Sequence, residues 1–369
     1  MLELVDLGQR VRALAAHGGD LTAIRTQLDR DLRASVAYDF GAISTVDPAT
    51  MLWTSCFVSG LPSDPARRRE KVLFDLEFRG VDLNGYAELA NSGRDLGCLY
   101  DATGGDLARA QRFRLLLSEF DTKDEMRVVL RSHGLCWGTL TLYRAGESPP
   151  FSRRDQEVMH GAVGVIADLL RLTFLRAALV APSSVEQPPG VVLVSTDGDI
   201  ETTSDAARSW LDALDDRGRV PSVIRSVAAA AASGNGLARA ALPGRDGRWI
   251  VLHGSPVTDG DAVAIIVEGA RPIVLSEVIA SAYGFTPRER DVTGLAAQGR
   301  TTKQIASALG ISAFTVQDHL KAVFAKTGAQ SRSELVATLY LQQYEPRVDA
   351  GSTPGPYGWY LDDEIPLAV

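Results

Sequence analysis

A multidomain α+β protein that closes in a small all-α unit is the fold this sequence predicts, and three observations predict it. The 369 residues exceed what one hydrophobic core usually organises. Two stretches, ending near residues 181 and 269, carry strand-length apolar runs broken by turn residues and flanked by helical patterning. After them come short segments of helical period, each with its own start and stop residues.

Composition narrows the class. Hydrophobic residues make up 45% and charged residues 23%, so each domain can bury a core without disulfides or metals. Cys56, Cys98 and Cys136 lie far apart and form no Cys-x-x-Cys pair, which argues against a zinc site or disulfide framework and for a reducing, cytoplasmic location. The N-terminus, MLELVDLGQRVRALAAHG, places acidic residues where a signal peptide needs basic ones, so no export is implied. The nearest approach to a membrane span, AVGVIADLLRLTFLRAALVA, is interrupted by Asp168, Arg171 and Arg176 at helical spacing and reads as a long amphipathic helix, with no membrane partner. A net charge of −8 argues against nucleic acid until it is counted by segment. Between Gly284 and Tyr344, seven basic residues (Arg288, Arg290, Arg300, Lys303, Lys321, Lys326, Arg332) face four acidic ones (Glu289, Asp291, Asp318, Glu334), a balance of +3.

Residues 1–181 open with helical patterning. FGAISTVDPATMLWTSCFVSG then alternates as strand, turn and strand, and MRVVLRSHGLCWGTLTLYR reads as two strands joined at His133-Gly134. PFSRRDQEVMHGAVGVIADLLRLTFLRAAL starts a helix capped by Ser152, with Asp155 three residues on as in a capping box. These strands covered by terminal helices resemble a GAF sensory domain, above all in WGTLTLYR followed by PFSRRD and the long exit helix. Trp53, Cys56, Phe57, Phe74, Phe78, Tyr100 and Trp137 are candidates to line a small-molecule cavity there, although such side chains are more often ordinary core.

APSSVEQPPG, without periodicity, supplies a linker at 182–188. Residues 189–269 then read as a strand, an Asp197-Gly198 turn, a second strand and a helix. SVIRSVAAAAASGNG follows as a helix with a Gly-Asn-Gly stop, and three more strands turn at Pro243 to Gly247 and at Asp259-Gly260. This order resembles a compact PAS domain. A connecting helix occupies 270–283. The tail, 345–369, holds Pro346, Gly351, Pro354, Gly355, Pro356 and Gly358 and one Arg against five acidic residues, and is expected to be disordered or lightly docked through Trp359 and Tyr360.

The segment 284–344 has the sharpest punctuation. Thr286 caps a helix with Pro287 at its first position, Glu289 completes a capping box and Gly299 offers a left-handed stop. TTKQIASALG makes a short second helix ending at Gly310. Ser312 caps a third that runs to Gly328, with Val316, Leu320, Val323 and Phe324 on one buried face and Gln317, Asp318 and Lys321 turned away from it. A fourth starts at the capping box Ser331 to Glu334. Two short helices joined by a tight turn, the second with a polar outer edge, is the arrangement that lets a helix enter the major groove.

Thr286-Pro-Arg-Glu289, Gly299, Ile305-Ala306, Leu309-Gly310-Ile311-Ser312, Thr315-Val316 and His319-Leu320-Lys321 together resemble the four-helix DNA-binding domain of LuxR/NarL-type transcription regulators. The resemblance implies that the helix from Ile311 to Thr327 is the recognition helix and that the fourth helix supports dimerisation on a two-part site. It makes Gln317, Asp318 and Lys321 the groove-facing candidates, and places Lys303, Ser312 and Thr315 among the DNA-binding residues, with Lys303 and Thr315 on the backbone. The family often has lysine at position 317, where this chain has glutamine, and position 318 is acidic. Glutamine pairs with adenine and aspartate accepts from cytosine, so preference changes and electrostatic affinity falls. For an isolated helix the three would be a solvated face.

His319 lies between the two faces and is expected to pack. His17, His133, His160 and His253 are scattered without ligand spacing, no catalytic triad or paired carboxylate stands out, and no glycine-rich phosphate loop is visible, so neither an enzyme nor a cofactor is expected. The expected protein is a ligand-responsive transcription regulator whose partners are double-stranded DNA, a second copy of the chain and a small molecule in the N-terminal half, with RNA polymerase as a further candidate. Two alternatives stand beside it. One makes the front half a ligand-free dimerisation or interaction scaffold, and the other fuses an enzyme to the DNA-binding module. The first region lacks both the acidic cluster of a phosphorylated response regulator and the Trp, Tyr and Asp pattern of acyl-homoserine-lactone-binding relatives.

Overall fold

A computed structural model describes residues 2–17, 21–61, 67–78, 82–181, 187–214, 220–234, 238–257, 262–339, 353–354 and 360–361. The chain divides into two compact units. The first comprises Met1–Phe174, Gln187–Asp246 and Ile250–Gly269, and the second holds the remainder.

Helices α1 (Leu2–His17) and α2 (Leu21–Ser35) lead into strands β1 (Phe40–Val46) and β2 (Trp53–Ser59). Between β2 and the central hairpin come α3 (Arg67–Phe78), α4 (Tyr86–Ser92), β3 (Leu96–Cys98), α5 (Leu99–Thr103) and α6 (Gln111–Leu115). The hairpin is β4 (Thr122–Ser132) and β5 (Leu135–Ala145), and α7 (Arg153–Leu179) follows. The five strands form one antiparallel sheet in the order β2-β1-β5-β4-β3. His133 and Gly134 both have positive φ (51° and 76°), as a two-residue turn matched to strand twist requires, so the expected hairpin closes where the sequence places it. The Ser152 and Asp155 box forms as well: Asp155 N–H donates to Ser152 Oγ at 3.2 Å, and Ser152 N–H to the Asp155 carboxylate at 2.7 Å. Helix α7 lies close on the sheet because residue 138 is glycine; a Cβ there would stand 2.4 Å from Leu170 and 2.6 Å from the Ser44 carbonyl. Among the described residues, no helix is long and apolar enough to cross a membrane.

The interior of this sheet also contains charge. Glu125 on β4, with no side-chain exposure, receives Arg112 of α6 at 2.5 Å and Arg127 at 3.3 Å, and Arg127 reaches Glu77 of α3 at 2.7 Å. Arg112 also pairs with Asp82 at 3.2 Å, and the Arg127 guanidinium stacks 4.8 Å over the Tyr86 ring. Each carboxylate here faces a guanidinium, so the interior can hold ionised groups that would otherwise neutralise, although one terminal nitrogen of Arg112 has no hydrogen-bond partner.

The second sheet belongs to the same unit. It contains β6 (Gly190–Val194), β7 (Ile200–Thr203), β8 (Ala238–Pro243), β9 (Trp249–Pro256) and β10 (Val263–Gly269), with α8 (Asp205–Asp212) and α9 (Ser222–Ala232) between β7 and β8. Its order, β7-β6-β10-β9-β8, repeats that of the first sheet strand for strand. Gly198 takes φ 76° in the expected turn, whereas the Asp259-Gly260 turn lies outside the described residues. Val192, Val194, Trp210, Ile224, Val227 and Ile265 form an apolar core. Gly190 and Gly254 let helices settle on it: a Cβ at Gly190 would meet Ala207 Cα at 2.4 Å, and one at Gly254 would meet Val227 at 2.6 Å. The two sheets share contacts at the β1–β2 turn. Asp47 accepts the Ala241 N–H of β8 at 2.8 Å, and Leu52 is buried in the core of the second sheet.

The second unit carries α10 (Pro272–Ala282), α11 (Pro287–Ala297), α12 (Thr302–Leu309), α13 (Ala313–Thr327) and α14 (Arg332–Leu339). Val292, Ala296, Ile305, Val316 and Leu320 make its core. In the tail, where disorder or light docking was expected, β11 (Thr353–Pro354) pairs with β12 (Tyr360–Leu361). Trp359 and the remaining tail residues lie outside the described set.

Candidate nucleic-acid interface

The turn between α12 and α13 is fixed by backbone geometry and caps. Gly310 closes α12 in the left-handed conformation (φ 65°), and Ile311 N–H reaches back to the Ala306 carbonyl at 3.0 Å. Ser312 then starts α13, its Oγ accepting from Thr315 N–H at 3.0 Å, while the two hydroxyls lie 2.8 Å apart. At the other end of α12, Thr301 and Gln304 form a complete capping box: Gln304 N–H donates to Thr301 Oγ1 at 3.3 Å, and Thr301 N–H to Gln304 Oε1 at 2.8 Å.

Helix α13 divides cleanly. Val316, Leu320 and Val323 are buried, and Gln317, Asp318 and Lys321 are exposed, as is Lys303 in the first turn of α12. Thr315 and His319 are half-buried at the margins. Phe314 was not among the sequence candidates, yet 72% of it is exposed. Its position two residues before Val316 already took it off the apolar stripe.

The seven residues considered for a small-molecule cavity do not converge. Trp53, Phe74 and Phe78 pack together, the Trp53 ring meeting the others edge-on at 5.1 and 5.6 Å, with Tyr86 at 6.0 Å. Cys56 and Phe57 are half-buried on β2, and Tyr100 is 41% exposed on α5. Trp137 packs against Phe174 of α7 at 5.9 Å, while its strand neighbour Cys136 belongs to the Trp53 cluster, so the two side chains point to opposite faces of the sheet. A cleft of about 40 Å³ beside α3 and α9, lined by Lys71, Phe74, Asp75, Ser195 and Arg225 among others, takes in Phe74 alone of the seven. Such a space holds about one or two waters, where organic ligands occupy roughly 300–1,000 Å³. Among the described residues, no group of three His, Cys, Asp or Glu is placed to hold a metal ion.

Comparison with known proteins bears on the second unit. Residues 284–339 match the family described as bacterial regulatory proteins, luxR family. The spore germination protein GerE of Bacillus subtilis (strain 168) is 46% identical over 55 residues, which are 15% of this chain and 74% of that protein. The chain belongs to the luxR family of bacterial regulatory proteins. The monoamine regulon transcriptional regulator of Klebsiella aerogenes is 41% identical over 57 residues, and there the match covers 15% of this chain and 25% of that protein. This chain thus spans about a quarter of that relative's length. Among solved structures, the GAF domain/HD domain protein from Geobacter sulfurreducens aligns over 40% of this chain and 89% of that one, at 17% identity and a TM-score of 0.27, too low to bear on the fold of the first unit.

Within the luxR-family segment the basic residues do two jobs. Lys326 at the end of α13 donates to the Gly284 carbonyl at 2.9 Å and to Glu289 at 2.6 Å, tying the helix to the start of α11. Burial works to raise the Glu289 carboxyl, but Lys326 and Thr286 outweigh it and hold the group below the usual carboxylate range. Arg332 donates to the Arg300 carbonyl at 2.5 Å. Lys303 and Lys321 project from α12 and α13 into solvent.

Proposed function

We propose that this luxR-family chain is a sequence-specific DNA-binding transcription regulator in which α13 enters the major groove. Gln317, Asp318 and Lys321 read base edges, and Lys303, Ser312 and Thr315 contact the backbone near the helix N-terminus. The observation that carries the reading is the exposed polar edge of α13, held behind a capped three-residue turn and opposite a buried stripe. A helix about 10–12 Å across fits a major groove about 12 Å wide. Two copies bind a two-part site, one reader per half, and RNA polymerase belongs to the same reading as a downstream partner.

Selection of bound sequences from a random duplex pool tests this directly, with no enriched sequence as the outcome that defeats it. Lys321→Ala should then cost about 1–3 kcal/mol and relax one base pair per half-site, if its ammonium reaches a guanine edge. A loss uniform over all sequences would move Lys321 to a phosphate.

In this proposal the first unit receives a signal. The filled Trp53 cluster and the paired charges around Glu125 favour a second form of it, in which the unit is a dimerisation or protein-interaction scaffold without a ligand. Thermal melting of the full chain in a metabolite extract separates the two, since a ligand that binds only the folded state raises its stability. A melting temperature unmoved by every extract fraction would favour the scaffold.

A further inference from the structure

Phe314 takes no part in the core under α13, and folding supplies no reason for its exposure. It stands two residues before Val316, so at 3.6 residues per turn it is about 160° around the helix from the centre of the buried stripe. With 72% of its surface open, it is among the most exposed large apolar side chains described, although the segment buries Val292, Ile305, Val316, Leu320 and Val323. An apolar ring standing in water gains by being covered. Gln317, Asp318 and Lys321 follow it at i+3, i+4 and i+7, so the ring shares their face. It also sits in the first turn of the helix, held there by the Ser312 cap, at the end from which such helices contact bases.

The three polar residues supply hydrogen bonds suited to adenine, cytosine and guanine edges. The apolar landmark of the major groove is the 5-methyl group of thymine, and an exposed aromatic ring matches it. We propose that Phe314 determines specificity by packing on a thymine methyl in the major groove. The proposal rests on the reading of α13 as the DNA-reading helix.

The test uses the full chain and the duplex enriched by selection, with each thymine of the site replaced singly by deoxyuridine. That replacement removes the methyl and keeps every hydrogen-bonding group. Wild type should lose about three- to five-fold in affinity at one thymine per half-site, the value of one buried methyl group. Phe314→Ala should bind the unmodified site correspondingly more weakly and show no further loss with deoxyuridine at that position, the non-additivity expected of a direct contact. Its melting temperature should equal that of wild type, because the ring supports no core; a lowered value would make Phe314 structural and overturn the proposal. Sequence-selective binding without a deoxyuridine-sensitive thymine, or with a sensitivity that survives in Phe314→Ala, overturns the role of Phe314 and leaves the reading of α13 intact. Absence of any sequence preference overturns both.

Discussion

Both sheets of the first unit run in the same strand order, yet α3 and α6 over the first bring ionised side chains into its interior while the helices over the second close on alanine, valine and tryptophan. Strand order is set by connection lengths and by which faces need covering. What fills the space beneath the helices is a separate matter, decided by side chains that need not neighbour one another in the chain. In the first sheet Glu125 balances Arg112 and Arg127, and in the second Gly190 and Gly254 let helices lie directly on the strands. Matched charge fills the space beneath α3 and α6, whereas α7 on the first sheet and the helices of the second rely on close fit at glycine.

Three experiments probe that contrast. The largest effect is expected for Glu125→Ala, which removes the carboxylate shared by two buried guanidinium groups, leaving Arg112 to Asp82 and Arg127 to Glu77, and should cost about 3–5 kcal/mol in urea denaturation. A midpoint equal to that of wild type would show that water or a rearranged partner substitutes for the carboxylate. Next comes Gly190→Ala, where the new methyl meets the backbone of α8 at Ala207 instead of a flexible side chain. About 1–3 kcal/mol is expected, with a lowered melting temperature, and an unchanged one would mean that α8 shifts freely.

The smallest effect concerns Asp124, fully buried beside the first sheet's network. Burial pushes its carboxyl up to about 6, against the pull of N–H groups donated by Tyr100, Phe151 and Glu125. A folded value above the ordinary 3.8 means that the folded state holds the proton more tightly. The associated stability is therefore complete below the unfolded value and is lost as pH rises through about 6. The stability of wild type relative to Asp124→Asn should fall between pH 4 and 7. A difference that rises across that window would reverse the assignment.

Much of this arrangement was legible in the sequence, and the reasons differ by region. In the second unit the start and stop residues are local signals, and Thr286, Glu289, Gly310, Ser312 and Gly328 occupy the expected capping positions. The Thr301 and Gln304 box is equally local in sequence. Strands β1, β2, β4 and β5 announce themselves by alternation, whereas β3, α5 and α6 are three to five residues long, too short to display a period. The ion network was beyond reach, because α3, α6 and β4 bring together residues as much as 50 positions apart. The seven cavity candidates share an apolar character and not a face, and the adjacency of Cys56 and Phe57 on one strand already indicated that they could not all turn to the same side.

The turn carrying Asp47 and Leu52 has a consequence for how such a chain is inherited. The Asp47 carboxylate holds a strand of the other sheet, and the Leu52 side chain finishes that sheet's core. A recombination that joined the second sheet to a different front half would leave a vacancy where Leu52 belongs and an unmet N–H at Ala241. Gene rearrangements that cut in the proline-rich stretch are thus expected to yield poorly folding offspring, and the two sheets should travel between genomes as a pair.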